Sequence, residues 1–207
     1  MPNKGKIEEG INEYYTNKII QHGDSSLGVD WNSKESQYLR FEQLLKVVNK
    51  KDFSILDYGC GYGELVNFLK NNNFNYNYYG YDISEEMIKK AVAKFGADNT
   101  LKFFSQLPNE KFDYSIASGI FNVKLDLASD NDWYNYMIET INLFNQVSTL
   151  GFSFNALTKY SDKEFMKDYL YYSDPLALFD YCKKNFSRNV ALLHDYNLYE
   201  FTILVRK

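Results

Sequence analysis

The chain has 207 residues, of which 45% are hydrophobic, so it is long enough to build one complete domain core. Its formal net charge is −4 without long runs of like charge, which argues against a nucleic-acid partner, because such proteins usually present a basic surface. No segment is apolar enough for a membrane span or a secretion signal, so we expect a cytoplasmic protein. The two cysteines, Cys60 and Cys182, lack metal-ligand spacing, and we expect no metal site.

The amino-terminal part of the chain, residues 1–34, predicts a helix over 7–21 and then an irregular segment that contains glycines. We interpret this part as an N-terminal helix with a lid or substrate loop. Residues 35–207 form the main predicted domain, which begins with a helix over 35–48 because apolar residues recur there at helical spacing.

Strands and helices then alternate. The predicted strands are 53–57, 76–81, 101–104, 112–117 and 148–157, and the predicted helices are 61–70, 85–95, 132–145 and 175–185. This alternation is typical of an α/β fold with a mostly parallel sheet covered on both faces. Two final strands, 190–194 and 199–205, are separated by only a few residues, which predicts a hairpin-like return and one antiparallel strand.

A glycine-rich loop joins the first predicted strand to the next helix. Its sequence is Asp57-Tyr58-Gly59-Cys60-Gly61-Tyr62-Gly63. Open α/β sheets bind cofactors at this position, and glycines let the backbone approach a ligand closely. Asp82 ends the second strand, where a carboxylate can accept both hydroxyls of a ribose. A dinucleotide-binding loop needs a glycine at position 64, where this chain has Glu64, so the spacing disfavours NAD.

These segments carry a resemblance to a known family. Residues 55–65 together with 80–84 resemble the first two motifs of the class I SAM-dependent methyltransferases, and residues 111–116 resemble their fourth strand. The resemblance implies a Rossmann-like three-layer sandwich with seven strands in the order 3-2-1-4-5-7-6, in which strand 7 is antiparallel. It also implies S-adenosyl-L-methionine (SAM) as cofactor and S-adenosyl-L-homocysteine (SAH) as product.

The same resemblance assigns cofactor contacts. Asp57 and the glycines surround the methionine part of SAM, Asp82 holds the ribose hydroxyls, and Ile83 packs on the adenine. The complete expected set is Tyr14, Arg40, Asp57, Gly59, Cys60, Gly61, Gly63, Asp82, Ile83, Met87, Gln106, Ser118 and Gly119. Gln106 stands where many relatives have an acid that contacts adenine N6. Two alternatives stay open: Arg40 either clamps the SAM carboxylate or is a surface residue, and Tyr14 and Tyr15 either close over the cofactor as part of a lid or pack on the sheet.

Methyl transfer requires an aligned acceptor and often a general base. The chain has only two histidines, His194 and His22, and each is a candidate base or substrate ligand, with a structural role as the alternative. The candidate substrate residues are Trp31, Phe121, Asn122, Asn155 and Tyr171. Together with the nearby Lys124 and Lys159 they offer hydrogen-bond donors and positive charge, which favour a small polar or anionic acceptor, and an anionic oxygen acceptor would need no base.

The sequence therefore predicts a SAM-dependent methyltransferase that acts on an oxygen of a small molecule. Fainter resemblances in residues 28–31, 118–122, 187–190 and 194–196 are to small bacterial methyltransferases of capsule and surface-polysaccharide gene clusters, including clusters linked to methylated phosphoramidate groups. The alternatives are a tRNA, rRNA or protein methyltransferase and a non-catalytic SAM-binding module. The sequence does not indicate an oligomeric state.

Overall fold

A seven-stranded sheet organises the computed structural model, which describes residues 4–207. Its strands are β1 (Asp52–Tyr58), β2 (Asn75–Tyr81), β3 (Leu101–Phe104), β4 (Phe112–Ala117), β5 (Ser148–Leu157), β6 (Asn189–Leu193) and β7 (Glu200–Arg206). The strand order is β3-β2-β1-β4-β5-β7-β6, and β7 runs antiparallel to both of its neighbours. The predicted Rossmann-like order and the antiparallel last strand are confirmed.

Six helices flank this sheet in the described part of the chain. They are α1 (Lys4–His22), α2 (Lys34–Leu45), α3 (Glu64–Asn71), α4 (Glu85–Phe95), α5 (Asp130–Val147) and α6 (Pro175–Asn185). Short 3-10 turns occur at Ser26–Val29 and Lys163–Phe165. Within residues 4–207, no helix is both long and apolar enough to cross a membrane.

Backbone conformation and helix capping explain where two of the helices begin, and one strand ends earlier than predicted. The helix predicted from residue 61 starts instead at Glu64, because Gly61 and Gly63 adopt φ values of 55° and 82°, outside the right-handed helical region. Helix α5 starts at Asp130, earlier than predicted, because the Oγ of Ser129 accepts a hydrogen bond from the backbone N–H of Asp132. Strand β6 ends at Leu193, so the expected last strand residue, His194, lies beyond it.

The sheet separates two hydrophobic layers. Successive strand residues point to opposite faces, so Ile55 and Leu56 of β1 are both fully buried in different layers. Helices α2 and α3 cover one face, and α5 and α6 cover the other. The carboxyl ends of β1, β2, β4 and β5 meet at one edge of the sheet. Helix α1 lies over this edge, where the Oγ1 of Thr16 is 2.7 Å from the Oγ of Ser84.

Candidate functional site

The glycine loop after β1 presents bare backbone to a cavity. Gly59 adopts a φ of 78°, in the left-handed region that favours glycine, and a Cβ at this position would lie 2.4 Å from the side chain of Ile120. The backbone N–H groups of Gly59 and Cys60 both donate to the carbonyl of Tyr81, at 2.7 and 2.9 Å. The loop is therefore fixed to the end of β2.

Asp82 is buried at the end of β2 and connects this strand to the loop. Its Oδ2 accepts from the N–H of Gly61 at 2.8 Å, and its Oδ1 accepts from the N–H of Ser84 at 2.9 Å. Burial raises the pKa of the Asp82 carboxyl to about 6, and the two backbone hydrogen bonds oppose this shift. At neutral pH the cavity is therefore lined by an oriented carboxylate.

Asp57, at the end of β1, is buried without a cationic partner among the described residues. The phenol of Tyr78 donates to its Oδ2 at 2.7 Å. Burial raises the pKa of Asp57 to about 7, the Tyr78 hydrogen bond opposes the shift, and the nearby charge of Asp82 adds to it. A cationic ligand group beside Asp57 would relieve this cost, because an opposite charge stabilises the ionised carboxylate.

The first cavity is enclosed by the loop, both acids, α1 and the segment that follows α1. It is also lined by Glu8, Ile11, Tyr15, Val29, Trp31, Gln37, Phe41, Tyr58, Tyr62, Tyr81, Ile83, Met87, Ser118, Gly119, Ile120 and Tyr136. The buried Oγ of Ser118 has no hydrogen-bond partner within the described chain. Buried polar atoms are normally paired, so this hydroxyl indicates a place for a polar ligand atom.

A second cavity adjoins the first, and the two share walls at Tyr15, Val29, Trp31 and Gly119. The Trp31 ring packs so closely on Gly119 that a Cβ there would lie 2.3 Å from it. Beyond the shared wall, the second cavity is lined by Leu27, Asp30, Asn32, Arg40, Asn122, Val123, Leu157, Ser161, Phe165, Lys167, Tyr169, Leu170, Tyr172, Tyr199 and Glu200.

A buried polar network supports the second cavity. The guanidinium of Arg40 donates to both carboxylate oxygens of Glu200, at 2.8 and 2.7 Å, and stacks on Trp31 at 3.9 Å from the ring centroid. Asn155 donates to Glu200 at 2.8 Å and accepts from the N–H of Gly119 at 2.7 Å. Asn122 donates to Glu200 at 3.5 Å. The network thus connects α2 and β7 to the wall between the cavities.

Most of the predicted cofactor residues come together. The first cavity is lined by Asp57, Gly59, Cys60, Gly61, Asp82, Ile83, Met87, Ser118 and Gly119. Gly63 instead faces the rings of Phe95 and Phe103, and Gln106 is exposed outside the cavity. Tyr14 donates to Asp30, and the adjacent Tyr15 lines the cavity in its place. Arg40 is held by Glu200 and lines only the second cavity.

The predicted substrate residues divide into three groups. Trp31 lines both cavities, and Asn122 lines the second. Asn155 is fully buried in the network behind the wall. Phe121 is fully buried against Phe154, and Tyr171 is half-buried outside both cavities with its backbone N–H bonded to the carbonyl of Asn122.

Neither histidine lines either of the two cavities. His194 is exposed beyond the end of β6, with its ring centroid 6.1 Å from those of Tyr160 and Phe201. His22 is exposed at the end of α1. Both lie outside the lining of the two cavities, so the geometry gives no support to a catalytic role for either residue.

Several lining residues were not predicted. Glu200 lies 160 positions from Arg40, so no local pattern could pair them. Gln37 and Phe41 of α2 line the cavity on the side that helical periodicity alone assigns to the core. Tyr15 is a candidate, together with Tyr14, for part of a lid over the cofactor, and it is the member of this pair that lines the first cavity.

The strand order, the glycine loop and its two acids define the class I SAM-dependent methyltransferase fold. Residues 56–145 match a family described as "Methyltransferase domain". The chain is 50% identical over 165 residues to the Mycobacterium tuberculosis (strain ATCC 25618 / H37Rv) protein named "Putative methyltransferase Rv1506c", covering 79% of this chain and 99% of that protein. The chain therefore belongs to the methyltransferase family.

Solved structures share the fold at low sequence identity. The magnesium protoporphyrin IX methyltransferase of Synechocystis PCC 6803, determined with bound SAH, has a TM-score of 0.65 at 17% identity, with 99% of both chains covered. Human N-acetylserotonin methyltransferase, in complex with SAM, has a TM-score of 0.59 at 13% identity, covering 97% of this chain and 66% of that one.

Proposed function

We propose that the protein is an enzyme that transfers a methyl group from SAM in the first cavity to an oxygen of a small polar or anionic acceptor in the second. The observation that carries this proposal is the meeting of the two cavities at Tyr15, Val29, Trp31 and Gly119, beside the glycine loop and its two acids. When bound, SAM supplies a methyl carbon that its sulfonium already activates for displacement.

The residues of the first cavity fit the cofactor. Asp57, a buried acid without a cation partner in the described chain, suits the ammonium of the methionine part, and Asp82 suits the ribose hydroxyls. Ile83 and Met87 supply apolar surface for the adenine. The unpartnered hydroxyl of Ser118 offers a further polar contact.

The other tasks of the chain are alignment and exclusion of water. Tyr15 and Trp31 belong to the wall that both cavities share, so they can hold the acceptor beside the donor and shield the reacting atoms from solvent. The network that ends at the N–H of Gly119 keeps this wall in place. In this proposal, the chain contributes to the reaction by positioning the acceptor beside the methyl group and by excluding water.

The proposed acceptor is a sugar-linked or phosphoramidate-type group, as used in capsular polysaccharide synthesis. The lining of the second cavity supports a sugar, because it includes Phe165, Tyr169 and Tyr199, three aromatic residues that are 59%, 36% and 42% exposed. Tyrosine combines an apolar ring with a polar hydroxyl, which matches the mixed surface of a carbohydrate. Residues 28–31, which carry part of the resemblance to capsule-cluster enzymes, contribute Val29 and Trp31 to both cavities.

Calorimetric titration and a transfer assay test this function. SAM and SAH should each bind at one site, and NADH should not bind. Tritiated methyl groups should then pass from SAM to members of a panel of sugars, sugar phosphates and uronic acids. Binding of NADH, or a lack of SAM binding, would contradict the proposal, and SAM binding without transfer to any acceptor would favour the non-catalytic module.

Asp57→Asn should make the free protein more stable and the cofactor complex weaker. Because the pKa of Asp57 rises from 3.8 to about 7 on folding, its cost to stability grows as the pH rises between these values and is complete above them. Asparagine cannot ionise, so urea unfolding at about pH 8 should show a gain of about 1 to 3 kcal/mol. The gain should shrink towards pH 4, and SAH affinity should fall in the same variant. A pH-independent stability difference would contradict this origin.

His194→Ala should leave the rate of methyl transfer and the affinity for SAM unchanged, because the side chain is exposed outside both cavities. Initial rates with an acceptor identified in the transfer assay provide the measurement. His22→Ala serves as the matched comparison, since it removes the other exposed imidazole. A large loss of turnover with normal SAM binding would restore the catalytic role predicted from the sequence.

A further inference from the structure

Both carboxylates of the second cavity are already engaged by donors. Glu200 accepts hydrogen bonds from Arg40, Asn155 and Asn122. Asp30 accepts from the phenol of Tyr14, and the ammonium of Lys18 lies 2.7 Å from its Oδ1. Either group would have to give up these partners before it could take a proton from an acceptor.

The other residues that line the second cavity include no further carboxylate within the described part of the chain. Among the described residues that line the second cavity there is no histidine or cysteine. Burial raises the pKa of Tyr15 well above its ordinary value, so this phenol keeps its proton at neutral pH. The cavity can therefore donate hydrogen bonds to an acceptor more readily than it can deprotonate one.

Positive charge in the second cavity is not fully compensated. The ammonium of Lys167 forms no ion pair within residues 4–207, and its hydrogen bond is to the phenol oxygen of Tyr169 at 3.4 Å. The guanidinium of Arg40 has five N–H groups, of which three are used by Glu200 and the carbonyl of Ser36. Two N–H groups of Arg40 and the ammonium charge of Lys167, both on residues that line the second cavity, are therefore not used by the described chain.

Building on the proposed function, we infer that the acceptor atom is an oxygen that already carries negative charge at neutral pH, in a carboxylate or a phosphoryl group, and that Lys167 and Arg40 recognise it. The new bond forms between this oxygen and the methyl carbon while the carbon–sulfur bond breaks and its electron pair stays on sulfur. The negative oxygen and the positive sulfur are both neutralised, so no proton is released. A hydroxyl acceptor would instead release one proton in each turnover.

The first test determines the charge of the acceptor and whether methyl transfer releases a proton. Small molecules from a bacterial extract are separated by anion exchange into retained and unretained pools, and each pool is incubated with the protein and SAM carrying a tritiated methyl group. We expect label only in products of the retained pool. In weak buffer with a pH indicator, SAH formation should proceed without proton release. Treatment of the product with mild alkali then distinguishes the two acceptor groups, because a carboxylate methyl ester releases labelled methanol and a phosphoryl methyl diester does not.

The second test measures recognition by Lys167. The acceptor purified from the retained pool is titrated into the SAH-loaded protein. Lys167→Gln should weaken its binding about tenfold, the scale of one charge-assisted hydrogen bond, and should leave the affinity for SAM unchanged. Lys167→Arg should restore most of the binding. The matched control is Lys163→Gln, an exposed lysine outside the cavity lining, which should bind the acceptor normally.

The outcomes separate this inference from the proposed function. Methyl transfer with one proton released per SAH, or label in the unretained pool, would overturn the anionic acceptor while leaving the methyltransferase function intact. Equal acceptor binding by Lys167→Gln and Lys163→Gln would overturn the role of Lys167. Transfer to neither pool by a protein that binds SAH would overturn both proposals.

Discussion

Asp82→Ala should lower the affinity for SAM and SAH by about ten- to a hundredfold, the scale of losing one or two charge-assisted hydrogen bonds. The carboxylate of Asp82 is oriented by the N–H groups of Gly61 and Ser84 on either side of it. Its removal would take away the proposed ribose acceptor and also release the loop that the contact with Gly61 holds. Calorimetric titration with SAH measures the loss without dependence on the acceptor.

The pH dependence of SAH affinity and a matched set of variants identify the origin of the loss of affinity in Asp82→Ala. Since the pKa of Asp82 is raised to about 6, the affinity of the unaltered protein should fall as the pH drops through that value, and this component should vanish in Asp82→Ala. Asp82→Asn keeps one acceptor oxygen and should lie between the two. Glu85→Ala removes an exposed acid nearby and should bind SAH normally. Unchanged affinity in Asp82→Ala would remove this residue from the site.

The cofactor side of the molecule could be predicted because its determinants are local. The alternation of strands and helices fixed the layers, and the short final connection fixed the antiparallel strand. Asp57, Gly59 and Gly61 are neighbours in the sequence, and Asp82 directly follows the adjacent strand β2, so the carboxyl edge of the sheet brings them together. The positions of these residues can therefore be predicted without knowing how distant parts of the chain fold.

The second cavity could not be predicted to the same extent, because long-range contacts build it. Arg40 is a candidate for a SAM carboxylate by its position on α2, but the structure places Glu200 of β7 beside its guanidinium. His194 is a candidate base because an imidazole can take a proton at neutral pH, but β6, which it follows, is the edge strand of the sheet and lies away from the loop. The aromatic part of the lining also comes from segments far apart in the chain, because Phe165 and Tyr199 come into contact only in the fold.

Glu200→Gln should lower the free energy of unfolding by about 3 kcal/mol or more, the largest effect on stability that we expect, because it breaks a buried ion pair. One oxygen of Glu200 accepts from Arg40 and Asn155, and the other accepts from Arg40 and Asn122. The amide of glutamine has only one oxygen, so in either orientation its NH₂ group would face donors. Urea unfolding, monitored by tryptophan fluorescence, measures the change.

A double-mutant cycle can assign this loss to the pair. Arg40→Met should also destabilise the protein, and combining it with Glu200→Gln should cost clearly less than the sum, with a coupling of at least about 1 kcal/mol. Additive losses would contradict a direct pairing. Glu86→Gln is the matched control, because it breaks a surface pair with Lys89 and should cost less than about 1 kcal/mol.

Glu200→Gln should also affect the two cavities, because Asn155 connects Glu200 to the wall between them. The side chain of Asn155 donates to Glu200 and accepts from the N–H of Gly119. If Asn155 loses its hydrogen bond to residue 200, it holds Gly119 less firmly in the wall between the two cavities. Under conditions where Glu200→Gln remains folded, its methyl-transfer rate should therefore fall further than its affinity for SAH. Equal losses in both measurements would limit the network to a structural role, since the proposed cofactor contacts of Asp57 and Asp82 do not depend on it.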